Sequence, residues 1–195
     1  MDTDTATLFF ALLAVVAQLA VLVAVVLAVG GRFSPALARV RSGVAAEVRP
    51  QGFALAAVVA AVCTAGSLYL SEVADFPPCR LCWFQRYAMY PQVVLLGLAA
   101  VLRDRRPAVV GLVLAVIGAA ISTWHVLIER YPSLESSTSC DPTNPCSIVW
   151  VKELGYLTIP TMALSGFALI ITLVSVSLSR SPRPSQATAI ALEAS

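Results

Sequence analysis

Five runs of apolar residues, Leu8–Val29, Phe53–Leu70, Trp83–Leu102, Ala108–Ile128 and about Thr158–Leu178, take up more than half of this chain. Each is near the ~20 residues that carry a helix across ~30 Å of hydrocarbon. None alternates apolar and polar residues, as the strands of a membrane barrel do. Only 12% of the residues are charged, against about 25% in soluble domains, and the mean hydropathy is +0.84. These features predict an all-α integral membrane fold, a polytopic bundle forming a single membrane domain.

The arginines predict its orientation. Arg32, Arg39, Arg41 and Arg49 lie between the first and second runs, Arg103, Arg105 and Arg106 between the third and fourth, and Arg180 and Arg183 after the fifth. The alternate segments hold only Arg80, Arg86, Arg130 and Lys152. The positive-inside rule puts the Arg-rich segments in the cytoplasm and the N-terminus outside. The arginines are thus topology signals; there is no phosphate loop, nucleic-acid motif or internal repeat. Leu8–Val29 lacks a basic leading region, exceeds an ordinary signal-peptide core and is followed by arginine, so it reads as an N-out helix. The basic segment Gly30–Gln51 reads first as a solvated linker, with an amphipathic surface helix as the second reading.

The stretch Pro77–Pro91, P-P-C-R-L-C-W-F-Q-R-Y-A-M-Y-P, carries the chemistry. Cys79 and Cys82 form a C-x-x-C pair where a polar connection becomes an apolar run. Pro77-Pro78 stop the preceding helix and let a new one begin at the motif. A helix start offers unpaired N–H groups and a positive dipole end, and Arg80 and Arg86 add charge, so at least one of the two thiols has a lowered pKa. Arg86 follows Cys82 by four residues and shares its helix face. A cation at membrane depth is costly and marks function. Cys63, alone within the second run, is a small packing residue. His125, the chain's one histidine, sits at the outer end of the fourth run and by itself is an interfacial residue. Cys140 and Cys146 flank D-P-T-N-P, whose prolines exclude a regular helix and predict a tight, exposed loop.

Topology puts Cys79, Cys82, Cys140 and Cys146 on the outer, oxidising side, where disulfides persist. Three arrangements compete: two structural clips, a four-cysteine metal site, and a relay of two redox pairs exchanging by thiolate attack. A clip needs neither a C-x-x-C at a helix start nor an arginine beneath it, and so short a loop restrains the unfolded chain little. The second pair, with two prolines between its cysteines, is a poor metal knuckle. The relay is favoured, with no metal expected. A small membrane scaffold with structural loop disulfides is the alternative.

The run P-C-R-L-C-W-F-Q-R-Y-A-M-Y-P resembles the first-loop motif of the DsbB-type disulfide bond formation proteins, bacterial inner-membrane thiol oxidases that use quinone. The similarity continues through W-H-V-L-I-E-R-Y-P-S, C-D-P-T-N-P-C and L-G-Y-L-T-I-P-T-M-A-L, covering about Phe53 to Leu178. In the vitamin K epoxide reductase type the loop cysteines precede the C-x-x-C; here the C-x-x-C comes first.

The resemblance implies a four-helix transmembrane bundle plus one additional N-terminal transmembrane helix. With the readings of hydropathy, charge and composition, the chain divides into that helix (1–30), a basic cytoplasmic linker (31–52), a thiol oxidase core (53–178), which the resemblance covers, and a Ser-, Pro- and Ala-rich tail expected to be disordered and cytoplasmic (179–195). The resemblance implies that Cys140 and Cys146 meet a reduced DsbA-like thioredoxin-fold partner, with Cys140 attacked. Cys146 would exchange with Cys79, leaving Cys82 as a thiolate facing a quinone, ubiquinone or menaquinone, beside Arg86 and His125. The implied setting is the bacterial plasma membrane, both pairs facing out, in support of disulfide formation in exported proteins. Three departures stand out: the first run has no counterpart in the four-helix core, the short Cys140–Cys146 spacing resembles the variants with a compact second loop, and Gln85 stands where some members have Glu.

Overall fold

The computed structural model describes residues 3–135, 140–141 and 143–179. Among these the chain forms α1 (Thr3–Gly30), α2 (Pro35–Val48), α3 (Gly52–Glu72), α4 (Arg80–Leu102), α5 (Arg105–Arg130) and α6 (Ile159–Leu178), with a 3₁₀ turn at Pro132–Leu134. The described residues contain no β-strand, only isolated bridges pairing Asp141 with Asn144 and Glu153 with Leu157. The protein is an all-helical, multi-pass membrane protein. The expected disorder of the tail, and Arg180 and Arg183, lie outside the described residues.

By length and composition α1, α3, α5 and α6 can each cross a membrane. The 23-residue α4 is equally long but less apolar, because it carries Arg80, Gln85, Arg86 and Gln92. Gln85, Arg86 and Gln92 are buried; α4 packs along α3 on one side and α5 on the other. Its polar residues are tolerated because they face protein instead of lipid.

The reversals between helices follow from single residues. Asp75 takes a positive φ of 54° after α3, and Pro77-Pro78 then keep the chain extended into Cys79, the N-cap of α4. Arg103 caps the other end of α4 in the left-handed region, and Asp104 starts α5 by accepting from the Arg106 N–H at 3.0 Å. The basic segment is helical over Pro35–Val48, the form that the second reading expects. Pro35 occupies the first turn of α2, where its missing N–H costs nothing, and none of the residues in α2 is buried.

Phe167, Ile170 and Val174 of α6 form the centre of the main core, against alanines of α3, α4 and α5 and Leu96. A Cβ on Gly118 would fall 2.3 Å from the Phe167 ring, so α5 and α6 meet there without room for a methyl group. Cys63 packs in this core, opposite Gly166. α1 lies against α6, Ala11 and Ala14 clustering with Leu157 and Met162. Small residues let helices approach this closely.

Candidate functional site

The N-terminus of α4 positions the first cysteine pair. Cys79 is extended (φ −70°, ψ 173°) and its sulfur accepts from the Cys82 N–H at 3.4 Å, so the thiol fills the place of an N-cap side chain. One turn on, the Cys82 sulfur lies 3.1 Å from that of Cys79, and the two share a hydrogen bond. Both are free thiols, whereas Cys140 and Cys146 are joined in a disulfide.

His125 links the pairs. It is buried in α5, with Nε2 3.1 Å from the Cys146 carbonyl oxygen and 3.7 Å from the Cys79 sulfur. Its Nδ1 is 3.0 Å from Gln85 Nε2. In this amide orientation Gln85 donates to Nδ1, so Nε2 carries the proton and donates to the Cys146 carbonyl. The Cys79 thiol, just outside the first turn of α4, is held well below its ordinary range. The Cys82 contact contributes most, and the imidazole and the Cys82 N–H add to it against the effect of burial.

The second pair is packed onto the first. Cys79, Leu81, Ile128, Cys140 and Cys146 form one buried cluster; the loop's two cysteines are thus buried, while Asp141 and Thr143 between them are exposed as expected. Two polar contacts hold the loop down: Asn144 Nδ2 donates to the Pro78 carbonyl at 3.3 Å, and Glu135 accepts from the Cys146 N–H and the Ser147 hydroxyl.

Arg86 stays in the bundle by local satisfaction. Nε donates to Ser67 Oγ at 3.0 Å and Nη2 to the Ser67 carbonyl at 2.9 Å. The guanidinium lies 5.1 Å from the Trp83 ring centroid, a cation–π distance. Among the described residues no carboxylate pairs with it and Nη1 makes no hydrogen bond. Arg86 lines a cavity of about 340 Å³ together with Cys79, Cys82, Gln85, His125 and Glu129. That volume lies within the range of small-ligand sites. Ser67 and Tyr90 also line it, and the rest of the lining is mostly apolar, from α1, α3, α4, α6 and the two loops that carry the cysteine pairs.

The four cysteines do not form one tetrahedral thiolate set, since two are spent in a disulfide. Ligand atoms of Cys79, Cys82 and His125 do lie within 4.8 Å of one another. The arrangement can pass a disulfide between neighbouring pairs, hold a proton on a thiol or an imidazole, and present a cation to a ligand in the cavity.

Comparison with known proteins places this geometry. The profile of the family described as disulfide bond formation protein DsbB matches residues 49–177. The chain belongs to the DsbB family. It is similar to disulfide bond formation protein C of Bacillus subtilis (strain 168), with 44% identity over 114 residues, 58% of this chain and 83% of the relative. It is likewise similar to probable disulfide formation protein C 1 of Bacillus anthracis, with 42% identity over 109 residues, 56% and 78% of the two chains. Probable disulfide formation protein C 2 of the same organism is 32% identical over 130 residues, 67% and 92%. No solved structure gives a significant match. Membership makes the chain a membrane protein of disulfide formation, with oxidoreductase chemistry at thiols.

Several residues of this DsbB-family site escaped the sequence reading. Ser67, Gln85, Glu129 and Glu135 carried no assigned role, though each touches or lines the site. Glu129 had one usable signal: it follows His125 by four residues and so shares its helix face. The others are recognisable only from partners distant in sequence.

Proposed function

We propose that the protein is a quinone-linked thiol oxidase that reoxidises an extracytoplasmic, DsbA-like thioredoxin-fold dithiol protein. One observation carries this reading: His125 Nε2 stands between the Cys79 sulfur and the Cys146 carbonyl, at the polar end of a cavity that Cys82 and Arg86 also line. The segregation of arginines supports placing both cysteine pairs on the outer face of the bacterial plasma membrane.

The exchange balances as follows. A partner thiolate attacks the Cys140 sulfur, and the Cys140–Cys146 bond breaks with Cys146 leaving as thiolate. Cys146 attacks Cys79 in an oxidised Cys79–Cys82 pair and releases Cys82 as thiolate. The partner's second thiolate breaks its bond to Cys140, and the freed Cys140 thiolate attacks Cys146 and releases Cys79. Two electrons have then moved from the partner to Cys79 and Cys82, and both other disulfides are closed. The observed pairing, Cys140–Cys146 joined and Cys79 and Cys82 free, corresponds to the end of this exchange.

The residues present fit a quinone: the cavity lining is mostly apolar, and Arg86, whose Nη1 has no partner among the described residues, lines it beside Cys82 and His125. Bound there, a quinone supplies an acceptor for two electrons and two protons. Arg86 stabilises negative charge developing on an acceptor oxygen. Cys82 holds one of the protons, and His125 with Glu129, one turn away on the same cavity wall, holds or relays the other. Cys79, kept as thiolate, is ready to close on Cys82 when the electrons leave.

The test mixes detergent-purified protein, a reduced thioredoxin-fold dithiol protein and a short-chain ubiquinone or menaquinone. The oxidised-quinone absorbance falls with wild type and stays flat with Cys82→Ser. Flat traces from wild type with several partners and both quinone types would overturn the proposal.

A further inference from the structure

The family match begins at residue 49, so it leaves α1 without a role. α1 is nevertheless docked in a defined register. Thr7 Oγ1 donates to Glu153 Oε1 at 2.8 Å, Tyr156 OH to Gln18 Oε1 at 2.7 Å, and Gln18 Nε2 to Ser165 Oγ at 2.9 Å. Within apolar surroundings such contacts fix one helix against another. They hold α1 to α6 and to the turn before it.

The register brings another face of α1 opposite α3. The Phe10 ring reaches across to α3, 6.1 Å from the Tyr69 ring. It seats over Gly66, where a Cβ would stand 3.1 Å from the ring edge, so the glycine makes room for it. Deeper in the bundle, Leu13 and Val16 of α1 and Val58 and Val62 of α3 all line the cavity. Yet Val16 is 64% and Val58 59% exposed. Residues that line a cavity and also face outward mark where it reaches the surface of the bundle, and at this depth that surface meets lipid. From Gly66 to Val58 the slot runs about 12 Å along α3, at about 1.5 Å per residue.

The site therefore has two ends of different chemistry: thiols, imidazole and guanidinium near the cysteines, and an apolar side opening farther in. Resting on the quinone reading above, we propose that α1 is part of the acceptor site. Together with α3 it forms a lateral portal, capped by Phe10, through which an isoprenoid tail passes into the bilayer while the ring stays beside Cys82 and Arg86. A ligand with a small redox ring and a long hydrocarbon tail matches both ends; a water-soluble acceptor has no use for the second.

The test uses the full chain, a reduced thioredoxin-fold protein, and two quinones sharing one ring, a decyl-tailed form and its tail-less parent. Val16→Trp and Val62→Trp fill the slot from opposite walls. Each raises KM for the decyl quinone relative to KM for the parent by about tenfold, the factor that a 1.4 kcal/mol loss of tail binding gives. Val26→Trp, on a part of α1 that is exposed but does not line the cavity, leaves the ratio at its wild-type value. Ratios within twofold of wild type in both slot variants, with melting unchanged, would overturn the portal. If the variants fold poorly, wild-type protein is irradiated with a quinone bearing a diazirine near the tail. Labels on Leu13 or Val16 and on Val58 or Val62 support the portal, and labels confined to other helices sink it. Wild-type protein that reduces neither quinone refutes the oxidase reading itself, while the labelling still decides the portal.

Discussion

The pairing of Arg86 with Ser67 gives a sharp test, because it separates what holds the cation in place from what the cation does. Ser67→Ala removes the acceptor for Nε at 3.0 Å and leaves the Ser67 carbonyl at 2.9 Å from Nη2. A hydrogen bond to a charged group contributes about 1.5–3 kcal/mol. Taking the lower figure, because the carbonyl bond remains, kcat/KM with quinone should fall roughly tenfold. Arg86→Met removes the charge itself. Losing one preorganised donor at a site of developing charge costs about 2.7–4 kcal/mol, or 10²–10³-fold in rate. Stability should not follow activity. Replacing a buried ion by an apolar side chain of similar volume is often neutral or stabilising, so Arg86→Met should melt at or above the wild-type temperature. In the double variant Ser67 has no guanidinium left to hold, and its loss should add nothing. The assay is quinone absorbance under saturating reduced partner, paired with thermal unfolding in detergent. The reasoning is refuted if Arg86→Met stays within threefold of wild type, or if the two losses multiply in the double variant.

Two further outcomes follow from the geometry. Because the Cys79 pKa is lowered in the folded protein, its thiolate persists as pH falls below the ordinary thiol value of about 8.5. Iodoacetamide should therefore still label the Cys79 peptide rapidly at pH 6, and His125→Ala should move the labelling profile to higher pH; a wild-type midpoint near 8.5 would contradict the assignment. Gly118→Ala forces a methyl group to within 2.3 Å of the Phe167 ring. Overpacking of this kind costs about 1–3 kcal/mol, so its unfolding temperature should drop, and Phe167→Leu in the same chain should recover part of the loss.

What could be read from the sequence was whatever is anomalous in its surroundings. An arginine inside an apolar run, a C-x-x-C beside two prolines, and arginines on alternate connections each stand out against a local background. Ser67 and Gln18 do not, and Gln85 stands out only as a departure from the family, without a role. Each is a single polar residue in a helix, and its meaning depends on a neighbour 19, 147 or 40 positions away. Helical periodicity says which face a residue occupies and is silent on which helix comes to meet it. The burial of Cys140 and Cys146 was hidden for the same reason: it comes from Leu81 and Ile128 on two other helices. For α2, Pro35 was a usable signal, since proline suits a first helical turn.

The contacts that pin α1 also set the order in which the protein can be made. Thr7 and Gln18 find their partners 146, 147 and 138 residues later in the chain. At synthesis rates of about 5–20 residues per second, that is a wait of roughly 7–30 s. Through this interval α1 sits in the bilayer with the Gln18 amide unpaired, until the turn at Glu153–Leu157 and then α6 emerge. α1, inserted before α3 to α6, is thus secured only after them, and a nascent chain released before α6 has no means of closing this wall. Biogenesis of the cavity ends where α1 meets α6.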